Sequence, residues 1–443
     1  MLLRVVSSLA IALALLLPQF SRVSAAPAFS HIYVIMEENT SYDAIVGNTA
    51  DAPYINSLIS KYGFAANYYG VTHPSEPNYI ASIAGDFFGL HADDPTFRSD
   101  ATNLVDQLES KGLTWATYQQ GLPSVGSTVA QDPATGTGLY VIKHDPFMLF
   151  NDVRNSATRV KNVKPMTSLA TDLATGTAPN YSFIVPDQCH DMHGVSPPSA
   201  TNYGMPWCGY PANFVIPHAV VQASDDYLKS LVTTIMTSPA WTSDSVIVVT
   251  WDENESSGLP NTGPTRGYAG TEGCCASPPG DGGGRVPTIV ITNTPTHLVS
   301  LRPYNHYSLL RTIEDNWGLG CLANTCNSAV QPMTDLISPS PNATSLASAS
   351  GFAVTFTSKN PGQGMIFFGP SCNALVEVGT RDITAGTTTH TVFVTGNDMP
   401  GTVGDIGITP GAQYYYEAVT MTPSGPEIDN NNGNCYTIYI TKP

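Results

Sequence analysis

The chain runs to 443 residues, with 18 Lys and Arg against 35 Asp and Glu and a net charge of -17 at pH 7. That length exceeds one ordinary core and points to two domains, while so acidic a balance leaves no basic surface to neutralise a phosphate polymer and excludes nucleic acid as a partner. The even set of eight cysteines suits a disulfide framework in an exported protein, and without a pair of Cys-x-x-Cys units it does not make a structural zinc site.

Export is also written at the N-terminus. Arg4 precedes an apolar run over residues 5–17, and Val23-Ser24-Ala25 offers the small residues of a cleavage site. Residues 1–25 therefore read as a secretory signal rather than as a membrane span, which needs about 20 apolar residues. A secreted protein, extracellular or periplasmic, with no integral membrane association is expected.

The stretch over residues 31–47, HIYVIMEENTSYDAIVG, begins with Ile32, Tyr33, Val34, Ile35 and Met36, a β-prone run without polar alternation. It reads as a central parallel strand. Glu37, Glu38 and Asn39 follow at its carboxyl end, where open α/β sheets place ligands, and hard oxygen donors there suit a metal cation. Residues 51–69 read as a helix, with Ile55, Leu58 and Ile59 at helical spacing and Gly63 as a stop. In GVTHPSEPNYIASIAGDFFG, Pro74 and Pro77 interrupt any earlier element and a second helix begins near Glu76, which sets Ser75 at its N-terminus. A serine there is either an N-cap or a hydroxyl that the unpaired first-turn amides, the helix dipole and a nearby cation would activate.

Residues 103–112 read as a helix, LTWATYQQ as a strand and residues 121–138 as a surface loop. The segment NYSFIVPDQCHDMHG holds another apolar strand, residues 181–185, that ends in Asp187, His190, Asp191 and His193. Two imidazoles interleaved with two carboxylates at a strand end point to a site for proton transfer. Cys189 lies inside this motif, and a disulfide to Cys208 would brace the loop. After a helix over residues 219–237, SVIVVTWDENESSG repeats the opening logic: a buried strand at residues 246–250, then Asp252 and Glu253. Two such ends on neighbouring parallel strands would converge on one cation.

A Gly/Pro/Cys-rich loop at residues 256–285, the strand VPTIVITN and a closing helix in NHYSLLRTIEDNWGLG follow, with Leu309, Leu310 and Ile313 on one face. His306 precedes that helix, and capping or core packing explains it as well as a site does. Cys321 with Cys326 and Cys372 with Cys435 are the economical pairs; Cys274 and Cys275 are not paired by their spacing. From residue 338, SPSPNATSLASASG reads as a linker. Beyond it, short β runs separated by Gly, Pro and Asn turns suggest a β-sandwich of about one hundred residues.

HIYVIMEENTSYDAIVGN followed by HPSEPNYIASIAG resembles the phosphoesterase family of secreted acid phosphatases and non-haemolytic phospholipases C, and the likeness extends over residues 29–336. The resemblance implies an α/β catalytic domain at residues 26–338, a mostly parallel sheet sandwiched by helices and similar to the alkaline phosphatase superfamily, followed by a small all-β sandwich at residues 339–443. It implies that Glu38, Asn39, Asp252 and Glu253 bind one divalent metal ion. The wider superfamily often has an Asp-His pair at the comparable strand end, so Glu253 points to oxygen-rich coordination of Ca²⁺, Mg²⁺ or Mn²⁺, with Zn and Fe left open. By the same resemblance Ser75 attacks phosphorus, Asn78 donates to phosphoryl oxygens, and His190 or His193 binds those oxygens or protonates the leaving alcohol. Asp187 and Asp191 orient the imidazoles or reach the metal, and the segment KHDPFMLFNDV, with His144 and Asp145, lies beside the substrate.

TPGAQYYYEAVTMTPSG resembles the F-strand region of a fibronectin type III domain, which would serve as spacer, stabiliser or glycan or cell-wall contact. The expected function is a metal-dependent acid phosphatase that acts on small phosphate monoesters through a seryl-phosphate intermediate. The alternatives are a phospholipase C-type phosphodiesterase and a non-catalytic, secreted cation-binding or adhesion protein. Asn39, Asn180, Asn254 and Asn342 head formal glycosylation sequons, and Asn39 cannot both carry a glycan and bind a metal.

Overall fold

Among the described residues, nine strands build the principal sheet of the computed structural model: β1 (His31–Glu37), β2 (Gly63–Tyr69), β3 (Trp115–Gln119), β4 (Val163–Pro165), β5 (Tyr181–Val185), β6 (Ser245–Trp251), β7 (Arg285–Thr292), β8 (Val299–Ser300) and β9 (Tyr304–Asn305). The structure describes residues 29–210, 218–255, 271–293, 299–300 and 302–337, and C-terminally residues 351–372, 375–377, 387–395, 412–422, 425–429 and 435–439. The expected signal at residues 1–25 and the expected linker after residue 337 lie outside the described residues.

The strand order is β8-β2-β7-β6-β1-β5-β3-β4, with β9 also paired to β2. β1 runs parallel to both neighbours, Ile32 opposite Tyr181 on β5 and Val246 on β6. Its residues from Ile32 to Glu37 are all buried, which is why the run carries no polar alternation: a parallel strand covered on both faces needs apolar side chains on both. β7 is antiparallel to β6 and to β2. That double reversal turns β2 back into the direction of β1, so the carboxyl ends of β1, β2, β5 and β6 share one edge.

The helices that matter for this edge are α1 (Pro53–Lys61), α2 (Ser75–Ala84), α3 (Leu104–Ser110), α4 (His218–Met236) and α5 (His306–Trp317). All ten residues of α2 are buried. The helix expected over residues 51–69 is corrected: it ends at Lys61, and Gly63–Tyr69 is strand β2. A short apolar run buried on both faces has the same composition in either conformation, and only its partners β7, β8 and β9 decide it.

Disulfides join Cys189 to Cys208, Cys274 to Cys275, Cys321 to Cys326 and Cys372 to Cys435. In the C-terminal part, the strand Gly351–Gly369 pairs antiparallel with Thr387–Thr395 along its first half and with Gln413–Thr422 along its second. Phe352, Ile366, Phe368, Val392 and Tyr414 gather there into an apolar cluster. These described strands form an antiparallel β unit.

Candidate active site

Backbone hydrogen bonds lace the strand ends together. Glu38 N–H donates to the Asp191 carbonyl at 2.7 Å, Asp252 N–H to Glu37 at 3.0 Å, Asn254 N–H to Gly283 at 2.8 Å and Gly283 N–H to Gly70 at 3.1 Å. The loops after β1, β2, β5 and β6 are thereby held as one rim. Gly70 permits a close approach, because a Cβ there would stand 2.8 Å from the Asp252 carbonyl oxygen and 2.9 Å from that of Gly283. Asn39 adopts a positive φ of 37°, a region asparagine enters more readily than most residues, and its N–H donates to Asp252 Oδ1 at 3.1 Å.

Ser75 is the first residue of α2 and only 1 % exposed. Its hydroxyl lies 3.1 Å from Glu38 Oε2, 3.3 Å from Asn39 Oδ1 and 3.5 Å from Glu253 Oε1. It caps nothing, since the residue in the cap position is Pro74 and no side chain closes the helix. The hydroxyl is turned instead towards the ends of β1 and β6. Asn78 is placed differently from the sequence expectation. Its Oδ1 accepts from Val71 N–H and Thr72 N–H at 2.8 and 3.1 Å, and its amide donates to the carbonyls of Thr72 and Pro74 at 2.7 and 3.1 Å. Every hydrogen-bonding position of this buried amide is spent on the turn that presents Ser75, so it shapes that turn rather than facing a ligand.

Glu38, Asp252 and Glu253 are fully buried. Burial, with Asp252 nearby, lifts the Glu38 carboxyl well above its ordinary range; burial and Glu253 push Asp252 up to about 7. Glu253 is raised by burial and drawn back by His73, whose Nδ1 lies 2.5 Å from Glu253 Oε2. Asp191 is lifted by burial as well. Glu38 Oε1, Asp191 Oδ2 and Asp252 Oδ2 are buried oxygens that accept no hydrogen bond from the described residues. Several buried carboxylates with open lone pairs repel one another unless protons or a cation intervene, and this donor set fits a hard divalent ion.

The histidines divide into three settings. His193 Nδ1 donates to the Gly194 carbonyl at 2.6 Å, which leaves Nε2 without a hydrogen-bond partner among the described residues; burial, aided by the Lys143 charge, lowers the ring to about 4. His144 stacks on Tyr79 with ring centres 5.0 Å apart. Its Nε2 stands 3.1 Å from Glu38 Oε1 and its Nδ1 stands 3.8 Å from Asp191 Oδ2. His190 Nδ1 donates to Asp187 Oδ1 at 2.8 Å, with Gln120 Nε2 at 3.1 Å from the same nitrogen, and the ring lies against Tyr227, 4.7 Å between ring centres. The described contacts join the Asp187–His190 pair to Gln120, Tyr227 and Trp207, not to Ser75.

Asp191 Oδ1 accepts the His193 backbone N–H at 2.8 Å, and its Oδ2 faces the His144 ring, 3.8 Å from Nδ1. His306 is a brace, buried between the Asp252 carbonyl at 2.5 Å and the Tyr68 hydroxyl at 3.1 Å. His73, a direct partner of Glu253, escaped the sequence reading. The signal for it was only its place two residues before Ser75.

Fold and geometry together define an α/β protein whose centre is a buried hydroxyl, set among carboxylates at the carboxyl edge of the sheet. The chain belongs to the Phosphoesterase family, whose description it matches over residues 48–207 and 216–320. Among its relatives is a phosphatidylinositol-3-phosphatase of Mycobacterium tuberculosis, 30 % identical over 71 % of this chain and 84 % of that protein. A probable acid phosphatase of Kluyveromyces lactis is 29 % identical over 66 % of this chain and 59 % of its own length. A phosphate-repressible acid phosphatase of Penicillium chrysogenum is 26 % identical over 67 % and 60 %. The chain thus spans about three fifths of the length of these two acid phosphatases. Among solved structures, a protein in the alkaline phosphatase superfamily from Vibrio parahaemolyticus superposes with a TM-score of 0.44 at 10 % identity, over 92 % of this chain and 83 % of that one. A likeness that loose assigns no residue a role.

Proposed function

We propose that the protein is a secreted, metal-assisted phosphatase that hydrolyses small phosphate monoesters through Ser75. The observation that carries this reading is the buried Ser75 hydroxyl at the start of α2, within 3.1–3.5 Å of Glu38, Asn39 and Glu253. Glu38, Asn39, Asp252 and Glu253 would hold the divalent ion, which supplies charge withdrawal from the phosphoryl oxygens and a lower pKa for the neighbouring hydroxyl.

Ser75 Oγ forms the new bond to phosphorus as the bond to the ester oxygen breaks, and its proton passes towards the Glu38 carboxylate. His193 presents Nε2 to the departing oxygen. The ring is unprotonated on its own at neutral pH, and a phosphoryl dianion brought beside it favours the protonated form that donates to the alkoxide. Water then attacks the phosphoserine, and the same groups run in reverse. Asp187 and Gln120 fix His190 at the side of Tyr227, where we assign it to positioning the substrate.

Hydrolysis of p-nitrophenyl phosphate and of its bis-ester, by wild type and by Ser75→Ala with and without chelator, tests this reading. Monoester turnover that falls by about 10³-fold or more in the variant is expected, as is its loss on chelation. Preference for the bis-ester would favour a phospholipase C-type diesterase, and metal binding without hydrolysis of any ester a binding protein. The fuller overlap with the mycobacterial relative supports one further substrate, a short-chain phosphatidylinositol 3-phosphate, to be assayed by phosphate release. We assign catalysis to residues 26–338 and treat residues 339–443 as a separate β module.

A further inference from the structure

We propose that the Asp93 carboxylate is a built-in stand-in for the substrate's phosphoryl group, seated between the Glu76 amide and the Lys143 ammonium and displaced when an ester binds. The inference rests on the phosphate-ester reading and adds how the site is kept when empty. Asp93 lies in the segment that joins α2 to α3. Its Oδ1 accepts the Glu76 N–H at 3.1 Å, and its Oδ2 takes Lys143 Nζ at 2.7 Å. Glu76 immediately follows Ser75, so this N–H is one of the first-turn amides that have no carbonyl partner within the helix and that favour an anion.

Both ends of the bridge adjoin the chemistry. Lys143 precedes His144, whose Nε2 stands 3.1 Å from Glu38 Oε1, and Glu38 in turn meets the Ser75 hydroxyl. A carboxylate and one edge of a phosphoryl group present two oxygens at similar spacing, so the same two donors accept either. The Asp93 charge is felt by Glu253 and by His193, which belong to different strand ends. The loop is tied down next door, where Asp94 N–H donates to Glu76 Oε2 at 2.6 Å, leaving the Asp93 side chain as the part able to swing.

Exposure separates this carboxylate from the others. The side chains of Glu38 and Glu253 are 0–1 % exposed, whereas that of Asp93 is 33 % exposed and that of Lys143 18 %. Asp93 can therefore leave for solvent without crossing the core. Charge gives the reason for the arrangement. A dianion entering beside Glu38, Asp191, Asp252 and Glu253 needs a positive partner in addition to a divalent ion, and Lys143 is neutralised while Asp93 holds it. Exchange of Asp93 for phosphate frees that charge only when the ligand is there to use it.

The test is calorimetric titration of the metal-loaded full chain with inorganic phosphate, alongside KM for p-nitrophenyl phosphate, in wild type, Asp93→Asn, Asp93→Ser, Lys143→Met and Lys143→Arg. If Asp93 occupies the seat nine tenths of the time, removing it tightens phosphate binding about tenfold and lowers KM in step. Lys143→Met weakens both, and Lys143→Arg restores most of the loss. Weaker phosphate binding in both Asp93 variants, as in Lys143→Met, would mean that Asp93 only orients the lysine and would overturn the proposal. So would unchanged affinity across the set. Thermal melting confirms that each variant is folded, and the serine variant stands in if the asparagine one is not. Because calorimetry needs no turnover, the two readings fail separately. Wild type inert on every ester, with tighter phosphate in Asp93→Asn, sinks the phosphatase and keeps the seat; normal turnover with weaker phosphate does the reverse.

Discussion

If Asp252 holds the proposed divalent ion, chelation should leave it as a buried charge that the ion no longer neutralises. Its side chain is fully buried and its carboxyl sits at about 7, against an ordinary 3.8, through burial first and Glu253 second. A raised folded-state value means that the folded protein holds this proton more tightly than the unfolded chain does. In the metal-free protein, this contribution to stability is therefore fully present near pH 4 and is lost as the pH rises towards 7. At about 1.4 kcal/mol per unit, three units amount to roughly 4 kcal/mol. With roughly 2 °C per kcal/mol for a domain of this size, the melting temperature should fall by about 8 °C. Glu38, Asp191 and Glu253 are shifted in the same direction and add to the fall.

The assay is thermal melting from pH 4 to 7.5, with chelator and with added divalent ion, on wild type and Asp252→Asn. The chelated wild type should lose stability across the range, the loaded protein should stay nearly level, and chelated Asp252→Asn should fall less steeply. Parallel curves for the chelated and loaded proteins, or an undiminished fall in the variant, would refute the reasoning.

His144→Phe keeps a ring on Tyr79 but removes the nitrogen beside Glu38, so kcat should drop about 10–100-fold while the melting temperature holds within a few degrees. Gly70→Ala sets a methyl 2.8 Å from the Asp252 carbonyl, and should cost about 1–3 kcal/mol in urea unfolding and weaken metal affinity measured by titration. Replacing both Cys189 and Cys208 by Ala opens a loop whose ends are 19 residues apart, worth about 3 kcal/mol in the same unfolding assay, and should loosen the segment that carries His190, Asp191 and His193.

Much of this centre was legible in the amino-acid order because its parts repeat one local pattern. An apolar run without alternation must be buried on both faces, and polar residues at its end must lie at a sheet edge; that places Glu38, Asn39, Asp191, Asp252 and Glu253 without knowledge of any partner strand. Prolines 74 and 77 likewise announce a helix start beside Ser75. Strand direction was not legible: Arg285–Thr292 is as fully buried as Ser245–Trp251, and only its pairing with β6 and β2 shows it to be reversed. The same holds for Gly63–Tyr69, whose conformation its neighbours chose.

Side-chain partners over long separations were decided by tertiary structure alone. His73 meets Glu253 across 180 positions, His144 meets Glu38 across more than a hundred, and Asp93 reaches Lys143 across 50. Asn78 shows the converse, a motif residue whose amide is consumed by its own turn. Local order determines which backbone conformation a segment favours and how much of it must be buried, whereas the pairing of one buried polar group with another depends on where the fold sets them down.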